Sequence, residues 1–336
     1  MRPLLILTLL AVLLAVPAQP QAARDDAAVR AGQSSDANQP PPHTKPFPNL
    51  AIGKTREEQR ESFALGPQIQ RGLSAGELLE QNRRLDAAFA ALQPQRPGTT
   101  DAYILTIALD SDPVFAREAR EARRVLSARY DGAGRTLTLA GPDGMRNDLP
   151  YGSIDTLILS LARIAEVMDP EEDVLVMYTT SHGINLGLAY HYGDTGYGIL
   201  SPARLKSVLE ELGIKRRILL LSACYSGVFI PELASADTAI LTAAAGNRTS
   251  FGCKPDNDWT YFGDALINRA LRQPQPLSEA AQAAALTVAE WETKQRLLAS
   301  LPQTVIGDGV AEWLPELEAR MPKVASERVG RPAVPD

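Results

Sequence analysis

The stretch "DVLVMYTTSHG" (173–183) decides the fold, together with a second stretch, "RRILLLSACYSG" (216–227). Each opens with consecutive apolar residues, Val174 to Tyr178 in the first and Ile218 to Leu221 in the second. Each then stops at a scarce reactive side chain followed by glycine: His182-Gly183, and Cys224 with Gly227 three residues on. A short run that is apolar throughout, rather than at every second residue, reads as a strand buried on both faces, which is the habit of parallel sheets.

The neighbouring sequence fits that reading. "SPARLKSVLEELG" (201–213) separates the two runs and carries the marks of a helix. Ser201 can cap its start, Pro202 suits the first turn and Gly213 can close the end. Upstream, "AYILTIALD" (102–110) and "TLTLAG" (136–141) read as strands, and 115–130 and 153–169 as helices. Downstream, "TAILTAAAG" (238–246) is another strand, and helices are expected near 260–272, 278–298 and 310–321, with "TVIG" (304–307) a further strand. Strands alternating with helices predict an α/β fold, a three-layer α/β/α sandwich around a mainly parallel sheet.

Composition limits the function. The 336 residues are 45% hydrophobic and carry a net charge of −6. That is ample for a core, and the absence of a lysine- and arginine-rich block argues against nucleic acid as a partner. The start, "MRPLLILTLLAVLLAVPAQPQAARDD", has one early cation, an apolar run over 4–16, and Val16 and Ala18 at the −3 and −1 positions of a cleavage site. This is the layout of a signal peptide over 1–23. Its helix of about 20 Å falls short of the ~30 Å hydrocarbon core, so cleavage is expected, without stable membrane insertion afterwards. The expected product is exported, most simply to the periplasm. Residues 24–99 read as a linker and N-terminal helical segment, His43 being a solvated linker residue, and 323–336 as a loose tail.

In open parallel sheets, ligands gather at the carboxyl ends of the strands. His182 and Cys224 both fall there. An imidazole beside a thiol is the arrangement for nucleophilic catalysis, because the thiolate attacks and the imidazolium protonates the leaving group. The backbone N–H groups of Gly183 and Cys224 would face the same space and could hold an oxyanion. No close Cys/His pair recurs at ligand spacing, so no metal or other cofactor is expected. Cys253 is either the partner of Cys224 in a disulfide, as an oxidising compartment favours, or a packed thiol. His191 is assigned to a glycine-rich lid or surface loop.

The string "YTTSHG…ILLLSACYSG", followed by "TAAAGNRTSFGC" (242–253) and "TYFGD" (260–264), resembles peptidase family C13, the legumain-like cysteine peptidases of the caspase-like clan. The bacterial exported branch is the most similar. The likeness runs over about 100–275, within a peptidase domain set at 100–322. It implies a caspase-like fold, a dyad of His182 and Cys224, and an oxyanion hole from the Gly183 and Cys224 amides. The implied activity is that of a cysteine endopeptidase working on peptide or protein substrates through a thioester acyl-enzyme. A transpeptidase or transamidase using the same intermediate is the first alternative, and a binding module retaining the fold the second. The family's specificity residues map onto Asp264 and Ser222. Asp264 could equally be a charge at a helix start, and Ser222 stands where the family has an acid, so asparagine preference is not implied. Arg117 lies near the place of the family's basic residue, and Arg248 could pair with a carboxylate or tie down its loop.

Overall fold

The computed structural model describes residues 37–335, so the expected signal peptide lies outside the described residues. The central sheet has six strands: β2 (Ala102–Ala108), β3 (Thr136–Leu139), β4 (Val174–Thr180), β8 (Arg217–Ser222), β9 (Thr238–Thr242) and β10 (Gln303–Ile306). Their order is β10-β9-β8-β4-β2-β3. All neighbours are parallel except β10, which closes one edge antiparallel to β9. The mainly parallel sheet expected from the apolar runs is therefore present, and the first three residues of "TVIG" fall in its edge strand β10.

Both faces are covered, which explains why β2, β4 and β8 carry apolar residues on both of their faces rather than at every second position. Ile104, Val176, Tyr178, Ile218 and Leu220 face one core with Leu126 of the helix Pro113–Arg129 (α3) and Val288 of Leu277–Lys294 (α6). The alternate residues Leu105, Leu175, Met177, Leu219 and Leu221 face a second core with Leu157 of Ile154–Val167 (α4) and Leu205 of Pro202–Glu211 (α5). Burying each such side chain contributes roughly 1.5–3 kcal/mol. A one-residue slip in a strand would exchange its two faces, so the register is tightly held. Ser201 caps α5 through a 3.0 Å bond from the Arg204 N–H, with Pro202 in its first turn, and Gly213 closes it at φ +68°.

Between β4 and α5 the chain forms a hairpin, β5 (Gly183–Ile184), β6 (Gly187–Tyr192) and β7 (Gly196–Leu200). With β1 (Gln68–Gln70) paired to β7 it makes a second, antiparallel sheet in the order β1-β7-β6-β5. His191 is thus on a strand rather than in a loop, because glycines at 187, 193, 196 and 198 here serve close backbone packing; a side chain at Gly187 would overlap the Leu200 carbonyl.

Two segments expected to be loose are held. Asp194 accepts from the N–H groups of Thr44 and Lys45 at 2.9 Å, and Phe47 stands edge-on to His191 and Tyr197. His43 is not a solvated linker residue: its ring stacks on His191, with centroids 3.5 Å apart. The C-terminal segment is tied by Trp259 Nε1 to the Val329 carbonyl at 2.9 Å and by the Ala333 N–H to Asp264 at 2.8 Å. In both cases the anchors are more than sixty residues away in sequence, which composition cannot register. No described helix is long and apolar enough to cross a membrane.

Candidate active site

Register places the site. Ala108 of β2 lies beside Thr180 of β4, and Thr180 beside Ser222 of β8. Two residues beyond these three aligned positions stand Asp110, His182 and Cys224. Three adjacent strands therefore deliver an acid, an imidazole and a thiol to the same edge of the sheet. The ladder runs on past the strand ends, with Leu109 N–H bonded to the Thr180 carbonyl at 3.1 Å and Ser181 N–H to Ser222 at 3.2 Å. Gly183 lies directly against Cys224, and a Cβ there would overlap the Cys224 carbonyl oxygen. This is the close approach that the glycine after the histidine permits.

The thiol is held from the loop after β9. Cys224 Sγ accepts from the Ser250 N–H at 3.2 Å and lies 3.6 Å from Ser250 Oγ. The next residue, Tyr225, has φ +57°, a left-handed conformation unfavourable for an aromatic residue, and its N–H is fixed by the Arg248 carbonyl at 2.8 Å. Arg248 thus ties its loop to the turn that follows Cys224. The Cys224 thiol is drawn well below its ordinary value, first by a hydrogen bond from Cys253, then by Ser250 and the nearby His182, against the opposing effect of burial. The Cys253 thiol is pushed the other way, by its bond to Cys224 and by burial. Both cysteines are free thiols, so the bridge foreseen as one alternative is open.

His182 faces Asp112, with Nε2 3.5 Å from Oδ2, and the edge of the Phe115 ring packs on it at 5.1 Å. Burial lowers the histidine's affinity for a proton, yet Asp112, Asp110 and Cys224 together outweigh it and hold the pKa above its ordinary value. Asp112 sits at the N-cap of α3, ahead of Pro113, with its carboxylate unused in capping. It was legible in principle: "LDSDP" follows an apolar run just as His182 does, and strand ends were already the place to look.

The remaining histidines converge here too. His43 Nε2 is 2.9 Å from Ser111 Oγ and 3.6 Å from Asp110, and His191 Nδ1 is 3.9 Å from Asp110. Burial raises the Asp110 pKa to about 6 and lowers that of His191 to about 4. His43, Asp110 and His191 bring ligand atoms within 4.8 Å of one another, as do Asp110, Asp112 and His182. In the first trio the two imidazoles are stacked, so their lone pairs run side by side rather than converging as a metal requires. The second trio shares His182 with the thiol.

A buried carboxylate supports the site from below. Glu118 of α3 accepts from Tyr178, from Thr180 Oγ1 at 2.8 Å, from Ser222 Oγ at 3.1 Å, and from the N–H and Oγ1 of Thr260 at 2.8 and 2.9 Å. It joins α3 to β4, β8 and the segment that follows Cys253. Burial pushes its pKa up, opposed by the donors around it. "REAREARR" reads as a solvated face of charges, and nothing in it marks one glutamate as buried.

Ser222 is buried and bonds Glu118 and Thr260 Oγ1. Asp264 is fully buried, and its carboxylate takes bonds from Asn268, Arg269 and the Ala333 N–H. Neither makes a hydrogen bond to His182 or Cys224. Arg117 clasps the carbonyls of Asp143, Pro255 and Asn257 and pairs with Asp258 at 3.7 Å.

A thiol and an imidazole at adjacent strand ends of an α/β sheet are the parts with which a cysteine-type peptidase works, and the family comparison supports that class for this chain. The model of the Peptidase C13 family matches residues 158–312, a span that contains His182, Gly183, Cys224, Cys253 and Asp264. The matched span is just under half of the chain, and over it the chain is similar to the legumain-like peptidases. No curated protein matches it. Among solved structures, the crystal structure of caspase-1 from Spodoptera frugiperda is similar with a TM-score of 0.41 and 15% identity, over 64% of this chain and 88% of that one.

Proposed function

We propose that the protein is an exported cysteine endopeptidase in which Cys224 and His182 form the dyad. The observation that carries the reading is the register of β4 against β8, Thr180 beside Ser222, which sets both side chains two residues past one line. In this scheme the Cys224 thiolate attacks the peptide carbonyl, the Gly183 and Cys224 N–H groups bind the developing oxyanion, and a thioester forms. His182, with Nε2 towards Asp112, has Nδ1 left to protonate the leaving amine and then to draw a proton from water. Export rests on the layout of residues 1–23, with the periplasm the simplest destination. Ser222 would influence recognition only through Thr260, which it holds, and Asp264 would serve to fasten the C-terminal segment rather than to line the substrate pocket.

The test is to incubate the purified mature chain with a diverse peptide library and sequence the products. Internal cleavages that vanish in Cys224→Ala are expected. Ligated products in place of hydrolysed ones would favour the transpeptidase alternative, and no turnover by a folded chain would favour a binding module.

A further inference from the structure

The chain has two cysteines, 29 positions apart, and the fold brings both to one place. Cys224 is bonded to the backbone of Ser250, only three residues before Cys253. Gly252 makes the intervening turn at φ +92°, where a side chain would collide with Thr260 and Tyr261. The Gly252 carbonyl is pinned by Asn257 Nδ2 at 2.8 Å and by the Lys254 N–H at 2.9 Å. Cys253 then packs into the apolar cluster of Ala108, Phe115 and Ala140, whose Phe115 ring also abuts His182. The two thiols act on one another's proton affinity, Cys253 drawing that of Cys224 down and Cys224 pushing that of Cys253 up.

We propose that Cys253 is a resolving thiol, which closes a reversible disulfide with Cys224 when a hydroperoxide oxidises the nucleophile, so that the peptidase is switched off without being destroyed. The proposal rests on reading Cys224 as the nucleophile. In the first step the Cys224 thiolate attacks the peroxide; an S–O bond forms, the O–O bond breaks, and an alcohol or water leaves. The sulfur is oxidised by two electrons to a sulfenic acid and the peroxide is reduced. In the second step the Cys253 sulfur attacks the sulfenic sulfur; the S–S bond forms, the S–O bond breaks, and the departing hydroxide takes the Cys253 proton as water. A dithiol reductant reverses the bridge by exchange. Without a resolving thiol, the sulfenic acid continues to sulfinic and sulfonic acids, which dithiols do not reduce.

The experiment treats the mature chain with hydrogen peroxide, alkylates the remaining thiols, and maps the peptides by mass, with and without later dithiothreitol. The wild type should yield a linked Cys224–Cys253 peptide, and dithiothreitol should restore nearly all of the iodoacetamide labelling at Cys224. In Cys253→Ala the same dose should leave Cys224 as sulfinic or sulfonic acid, with recovery near zero. Wild-type Cys224 that alkylates quickly when reduced, yet overoxidises as fast as in Cys253→Ala with Cys253 still free, would overturn the latch and leave the peptidase reading standing. Cys224 that neither alkylates nor oxidises would overturn both.

Discussion

All five cysteine and histidine side chains of this protein meet at the carboxyl edge of one sheet, and their proton affinities follow from what each touches. The Cys253 S–H is the largest influence lowering the Cys224 thiol, ahead of His182. Alkylation of Cys224 followed against pH should therefore show a midpoint well below the ~8.5 of a free thiol. Cys253→Ala should move that midpoint up, since the thiolate loses a donor, and His182→Ala should move it up by less. An unmoved midpoint in Cys253→Ala would remove the thiol–thiol bond from the account. Asp112 acts on the other partner. In Asp112→Asn the imidazole loses a nearby negative charge, so the His182 C2–H resonance should titrate at lower pH than in the wild type. Asp112 was within reach of the sequence, because it follows an apolar run at a strand end. The pairing of the two cysteines was foreseen only as a possible bridge, since spacing along the chain cannot distinguish contact from a bond.

The strands were legible because burial on both faces writes a continuous apolar run, and α5 because its caps are local chemistry. The hairpin β5-β6-β7 was not, since five glycines between 183 and 198 carry the composition of a loop and only cross-strand packing shows otherwise. Glu118 was hidden for a related reason: its partners come from β4, β8 and Thr260, all distant in sequence. Its removal leaves buried donors on Tyr178, Thr180 and Thr260 unsatisfied. Glu118→Ala should lower stability by roughly 3–5 kcal/mol, read from urea denaturation, with β4 and β8 losing the tie that aligns their ends. A change under about 1 kcal/mol, the level of an exposed substitution, would mean that the carboxylate is not the keystone of these elements.

The segments on either side of the α/β core are fastened to it. The segment from His43 to Phe47 is seated on the hairpin, and the C-terminal residues are bound by Trp259, Asn268 and Asp264. Asp264 lies where a specificity residue was expected, yet its partners are Asn268, Arg269 and Ala333. Asp264→Asn should cost about 1–3 kcal/mol of stability and leave the set of cleaved peptides unchanged. A new cleavage pattern at unaltered stability would return it to the substrate pocket. The central claim, that Cys224 is the nucleophile and His182 its acid, is tested most directly by site-mapped labelling. The mature chain, Cys224→Ala, Cys253→Ala and His182→Ala are each treated with a thiol-directed peptidyl acyl probe, and the adducts are located by mass. The account predicts one adduct, on Cys224, retained in Cys253→Ala, absent in Cys224→Ala, and slowed about 10²–10⁴-fold in His182→Ala. An adduct on Cys253 that persists in Cys224→Ala, or labelling indifferent to His182, would contradict it.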